Sequence, residues 1–121
     1  MNIVNFTQHK ATQEQIASGV VDIIPVSQRN EALTFENIPT AEDIRNRADT
    51  AVKMVTEIAE NGSLVMIGGA PFFMGSLETA LKNAGFRPVY AFSERKSVDV
   101  VKDDGSVVKT AVFVHKGFVE V

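Results

Sequence analysis

The sequence predicts an α/β fold: one domain, residues 1–121, with a mostly parallel central sheet and a β-hairpin extension over residues 94–121. Three observations predict it. Short β-branched runs alternate with capped helical segments along most of the chain. Ser63-Leu64-Val65-Met66-Ile67 is apolar throughout its centre and lies between two helical segments, as a buried parallel strand does. The last segments alternate in polarity on either side of an Asp-Gly turn, as a hairpin does.

Residues 2–7, with Ile3, Val4 and Phe6, read as the first strand. Gln8-His9-Lys10 is the polar loop leaving it. Thr12 is a helix N-cap, and Gln15 completes a capping box for a helix from Gln13 to Ser18 that Gly19 stops. Val20 to Val26 reads as a second strand, closed by Pro25. Residues 27–39 are mixed and polar, with no regular element expected. Thr40 caps the longest helix, with Glu42 and Asp43 in its first turn and an apolar stripe through Ile44, Ala48, Ala51, Val55 and Ile58; Asn61-Gly62 ends it. Asp43 with Arg47 stands at ion-pair spacing on its outer face.

Gly68-Gly69-Ala70-Pro71 breaks the strand that follows, and Pro71 suits the first turn of the next helix, Phe72 to Ala84. Residues 87–93 read as another strand. Val98, Val100 and Val101 alternate around Asp99, Asp103-Asp104-Gly105-Ser106 turns, and Val107 to Val114 returns as a strand.

Composition removes several function classes. Of 121 residues none is cysteine, so disulfides, thiolate zinc sites, iron–sulfur clusters and cysteine nucleophiles are excluded. The 12 Lys and Arg against 15 Asp and Glu give a net charge of −3, which argues against binding long nucleic acid. No apolar run reaches the length of a membrane span and no secretory leader is evident, so a cytoplasmic location is expected. With only His9 and His115 as imidazoles, no metal site is expected.

Three segments carry candidate chemistry. Gly68 and Gly69, between strand and helix, allow a ligand to approach the backbone, and Ala70, Pro71 and Phe72 open a helix whose N-terminus favours an anion. The pattern is neither Gly-x-Gly-x-x-Gly nor a Walker loop, so no dinucleotide or other cofactor is implied, and an empty tight turn explains it about as well. Thr7, Gln8, His9 and Lys10 leave the first strand at the same sheet edge. His9 suits acid–base work near neutral pH and Lys10 a phosphate, although a solvated loop histidine is commoner. Ser93, Arg95 and Lys96 set a hydroxyl beside two cations suited to phosphate; a charged junction balanced by Glu94 is an equal alternative. His115 reads as a histidine on a half-exposed strand face. Phe72-Phe73-Met74 reads as core or as a dimer contact.

Asn5-Phe6-Thr7-Gln8-His9 with Thr12-Gln13-Glu14-Gln15, and Tyr90-Ala91-Phe92-Ser93-Glu94-Arg95 with Asp104-Gly105 and Phe113-Val114-His115, resemble a small family of stand-alone CARF-type proteins of type III CRISPR loci. The resemblance covers both ends and is patchy through residues 27–60. Phe72 and Phe73 depart from it, standing where a more polar loop belongs. It implies a single Rossmann-like domain that forms a homodimer and binds a cyclic oligoadenylate. It also implies ring-nuclease activity in antiviral defence, or the binding of such nucleotides by a phage or prophage relative.

The function expected from that resemblance is binding of the cyclic nucleotide and its metal-independent cleavage by a ribose 2′-hydroxyl. His9 is then the acid or base, and Arg95 and Lys96 stabilise charge. Thr7, Gln8, Lys10, Gly68, Gly69, Ala70, Pro71, Phe72 and Ser93 form the ligand site. Two alternatives stand beside it: a non-catalytic nucleotide sensor or sponge, and an interaction protein whose glycine turn is empty.

Overall fold

The computed structural model describes residues 2–121. The elements are β1 (Ile3–Phe6), α1 (Gln13–Ala17), β2 (Val20–Val21), α2 (Val26–Leu33), α3 (Ala41–Thr56), β3 (Leu64–Ile67), α4 (Pro71–Asn83), β4 (Arg87–Val101) and β5 (Val107–Glu120). One five-stranded sheet runs in the order β2-β1-β3-β4-β5. The first four strands are mutually parallel, and β5 returns antiparallel to β4. The fold is therefore a Rossmann-like α/β sheet with a C-terminal hairpin, as the alternation of segments predicts. No helix among the described residues is long and apolar enough to cross a membrane.

Two apolar layers flank the sheet. The larger joins Val4, Phe6, Val65 and Ile67 to Leu33 of α2, Ala48, Ala51 and Val55 of α3, and Phe73, Leu77 and Leu81 of α4. The smaller gathers Ile3, Val20, Met66 and Val89 on the opposite face, with Ala11 and Phe118 partly covering it. The alternation of Ile3 and Val4 between these layers is the period-two signature of a strand buried on both faces.

Local chemistry sets the helix starts. Thr12 and Gln15 form the expected capping box on α1, and Thr40 forms one with Asp43 on α3. Asp43 is thereby held by the Thr40 backbone, and the pair with Arg47 does not form. Arg47 instead reaches the end of α2, where its Nη1 donates to the carbonyls of Glu31, Ala32 and Thr34 at 2.9, 3.2 and 2.6 Å. Those are terminal helix carbonyls without intrahelical partners, a stronger claim on a guanidinium than an exposed acid.

Three sequence expectations change. The second strand is only Val20–Val21, because Asp22 turns into a polar cluster described below. Residues 27–39 contain α2. Its buried positions are Arg29, Ala32 and Leu33, a helical stripe led by an arginine. The two expected strands at 87–93 and 97–101 are one strand, β4, and β5 extends past Val114 to Glu120. Phe73 and Met74 are core residues, whereas Phe72 is 54% exposed and packs edge-on against Phe35.

Candidate functional site

Helix α1 lies on one face of the sheet and α3 and α4 on the other, and the chain leaves β1 and β3 in opposite directions. Between such neighbouring strands, at their carboxyl ends, an open α/β sheet forms a crevice that ligands use. An open cavity of about 600 Å³ lies there. Its walls are Thr7, Gln8, His9 and Lys10 after β1, Gly68 and Gly69 after β3, and Tyr90 and Ala91 of β4. Thr12 and Gln15 close it from α1, and Met66 and Ile67 form its floor. The size falls within the range of about 300–1,000 Å³ common to small-molecule sites.

The structure thus brings together six of the residues singled out in sequence: Thr7, Gln8, His9, Lys10, Gly68 and Gly69. The others lie elsewhere. Ala70 caps α4, and Pro71 and Phe72 border a separate groove between α3 and α4. Ser93, Arg95 and Lys96 sit on an exposed stretch of β4 past the cavity. Arg95 is four residues beyond Ala91, about 13 Å along an extended strand.

The glycines serve packing as well as access. Neither Gly68 nor Gly69 has a positive φ. A Cβ on Gly69 would come within 3.3 Å of Met74 Cε and 3.7 Å of Leu33 Cδ2, so a side chain there would press on the core. A Cβ on Gly68 would meet Thr7 Cγ2 at 3.6 Å, an ordinary contact. Gly69 is small for the core beneath it, and Gly68 leaves the cavity wall bare.

The loop from Thr7 to Ala11 is held from behind by a polar cluster. Asn5 is fully buried in β1. Its Nδ2 donates to His9 O at 2.9 Å and to Asp22 Oδ1 at 2.6 Å. Its Oδ1 accepts from the backbone N–H of Thr7 at 3.1 Å and from the Thr7 hydroxyl at 2.8 Å. All four hydrogen-bonding positions of the amide are used. Asp22 Oδ2 accepts from the Ala11 N–H at 3.0 Å, so one carboxylate ties the far end of the same loop. Arg29, also fully buried, donates from Nη1 to Asp22 at 3.0 Å and to the Asn5 carbonyl at 3.2 Å. Burial pushes the Asp22 carboxyl up, but hydrogen bonds from Ala11 and Asn5 and the charge of Arg29 outweigh it and leave it below its ordinary value. Gln8 adds a bond from its Nε2 to Thr34 Oγ1 at 3.0 Å.

Sequence reasoning missed Asn5, Asp22 and Arg29. The available signal was Asn5, a polar residue inside the apolar run Ile3 to Phe6, which requires a partner when buried. Tyr90 was also missed as a wall of the cavity. Its hydroxyl donates to Glu78 Oε2 at 2.6 Å, and burial and that carboxylate hold it well above the usual phenol range. Tyr90 is therefore a neutral donor fixed to α4. His115 lies outside the cavity, its ring edge-on to Phe118 at 5.0 Å between centroids, and its backbone N–H donates to Glu14 at 3.1 Å.

Chemically the cavity offers one imidazole, one ammonium, hydroxyl and amide donors, and bare backbone at Gly68. That set suits a polar, anionic small molecule. A family model described as the uncharacterized protein MJ1673 family matches residues 1–119. No curated protein and no solved structure gives a significant match.

Proposed function

The chain belongs to the uncharacterized MJ1673 family, and for this member we propose that it binds a cyclic oligoadenylate at the carboxyl edge of its sheet and cleaves it without a metal. The observation that carries the reading is the cavity in which Thr7, Gln8, His9 and Lys10 face Gly68 and Gly69 across the β1/β3 crevice. The resemblance of Asn5-Phe6-Thr7-Gln8-His9 and of the Tyr90 to Arg95 segment to CARF-type proteins supports the choice of ligand.

In this reading Lys10 meets a phosphate as a point charge, and Gly68 leaves room for the backbone to approach it. Thr7 and Gln8 orient ribose or base. Cleavage is an internal transfer. A ribose 2′-oxygen attacks the adjacent phosphorus and the bond to the 5′-oxygen breaks. The proton leaves the 2′-hydroxyl and one is delivered to the 5′-oxygen. The products are a 2′,3′-cyclic phosphate and a 5′-hydroxyl, with no water consumed. His9 exchanges those protons, and cations stabilise the charge on phosphorus. Lys10 is the cation at the cavity itself. Arg95 and Lys96 reach only a ligand that extends along β4 or one shared with a second copy. A ring of several nucleotides is larger than a single cavity of this size, which favours sharing it between two copies about a two-fold axis.

Incubation with cyclic tri-, tetra- and hexa-adenylate, with and without EDTA, followed by chromatography, tests the reading. Loss of one ring in both arms, with a 2′,3′-cyclic phosphate product, is expected. Calorimetric binding with an intact ring identifies a sensor or sponge. No binding of any ring overturns the assignment. His9→Ala should slow single-turnover cleavage by about 10²–10⁴-fold while changing affinity little, and an unchanged rate removes His9 from the chemistry.

A further inference from the structure

Beyond Ala91 the β4–β5 hairpin leaves the body as a two-stranded ribbon in which no residue is buried. The register assigns its side chains to faces, because residues directly opposite in an antiparallel pair share one. Glu94 pairs with Val114, Lys96 with Val112, Val98 with Thr110 and Val100 with Val108. These lie on the face that also carries Phe92 and, nearer the body, Tyr90. The opposite face carries Ser93, Arg95, Ser97, Asp99 and Val101 with His115, Phe113, Ala111, Lys109 and Val107. One face is thus dominated by Phe92, Val98, Val100, Val108, Val112 and Val114, interrupted at Glu94, Lys96 and Thr110. The other mixes polar side chains with Phe113 near its middle and the pair Val101 and Val107 at its tip. Phe92 is 55% exposed and Val100 44%.

A half-apolar sheet face is normally covered, and an isolated two-stranded hairpin is marginal in water. The charges on this face point to its cover. Glu94 and Lys96 are successive residues on it, one acid and one base. Lys116 reaches Glu94 at 3.1 Å, whereas Lys96 has no ion pair among the described residues. A two-fold axis crossing the ribbon at Arg95, in the plane of the apolar face, inverts position along the strand. It sets Glu94 against the partner's Lys96, Val114 against the partner's Val112, and Phe92 against the partner's Val98. Each of these three pairings is of matching kind and occurs twice, the self-complementarity that an isologous interface requires.

We propose that this face docks on the same face of a second copy of the chain. The two ribbons stack antiparallel about a two-fold axis near Arg95, with reciprocal Glu94–Lys96 contacts at the centre. The interface stands whether or not the cavity binds a nucleotide.

Sedimentation equilibrium on the full chain, with a charge exchange, tests it. The parent should sediment as a dimer at micromolar concentration. Lys96→Glu sets acid against acid twice and should raise the dissociation constant at least tenfold. Glu94→Lys combined with Lys96→Glu restores opposite charges and should recover most of the loss. Val98→Lys should give a monomer, and an unchanged far-ultraviolet circular dichroism spectrum would show that the ribbon still forms. A monomeric parent at 100 µM overturns the proposal. So does a dimer indifferent to Lys96→Glu and Val98→Lys, which would place the contact on another surface. A double exchange no better than the single one overturns the antiparallel register.

Discussion

The two halves of β4 make a direct comparison. Pro88 and Val89 are buried between β3 and β5, with helices or Phe118 over each face. From Ala91 to Val101 the same strand keeps its ladder with β5 but has no residue buried. Pairing with β5 runs through both halves, with one irregularity between Phe92 and Ser93, whereas β3 pairs only with the body half, and side-chain cover is confined to that half. Hydrogen bonds fix the geometry of a sheet, whereas its stability comes mainly from what lies on its faces.

The largest expected contrast is between two phenylalanines. Phe73 is fully buried and contacts Phe35 at 5.3 Å between ring centroids. Phe73→Ala should cost about 3–5 kcal/mol, measured as a shift of the urea midpoint. Phe113 is 72% exposed on the ribbon. Its replacement by alanine, measured in the Val98→Lys background that should be monomeric, is the smallest effect expected.

Next is Asn5→Leu. It keeps the bulk but removes one hydrogen-bond partner each from Asp22, the His9 carbonyl and the Thr7 hydroxyl. A loss of about 1–3 kcal/mol is expected. Nucleotide affinity should fall further than in Phe73→Ala measured well below its melting temperature, because the loop is a wall of the cavity. Equal affinities would show that the cluster stabilises the body without shaping the site.

Asp22 gives the comparison a pH dependence. Its folded value lies below the ordinary 3.8. The carboxylate therefore contributes stability that is fully present above about pH 4 and is lost as pH falls through the folded value. The parent should melt above Asp22→Asn at pH 7, and the gap should close below pH 4. A gap that persists at pH 2 would mean that the amide fails for reasons other than charge. Finally, Phe113→Ala should stay within about 0.5 kcal/mol of its background. A cost rivalling that of Phe73 would mean that this face of the ribbon is covered too.

What was legible in the sequence follows the same division. β1, β3, the capping box at Thr12, the N-cap at Thr40 and the Asp-Gly turn are readable because each depends on neighbours along the chain. So is the meeting of Thr7 to Lys10 with Gly68 and Gly69, since parallel strands place their exits on one edge. Helix α2 was hidden because Arg29 occupies a core position that an apolar residue would have marked. The Asn5–Asp22–Arg29 cluster joins three elements and has no local pattern. Ala70, Pro71 and Phe72 were grouped with the glycines by adjacency, but α4 begins at Pro71 and carries them away from the cavity. A short strand would bring Arg95 and Lys96 to the cavity, and the length of β4 carries them past it.

That unbroken strand also orders the events of folding. The ribbon closes through the tight turn at Lys102 to Ser106, so its own ladder is local, and hairpins of this kind form in about 1–10 µs. The parallel ladder must instead join Ile3 to Leu64 across three helices, a slow search dominated by loop closure. The hairpin should therefore form first and fray often, having little cover of its own. It persists once Leu64, Val65 and Met66 dock against Arg87, Pro88 and Val89. Strand β4 is the one element that belongs to both the fast and the slow event, and substitutions at its base should alter the folding rate more than substitutions at its tip.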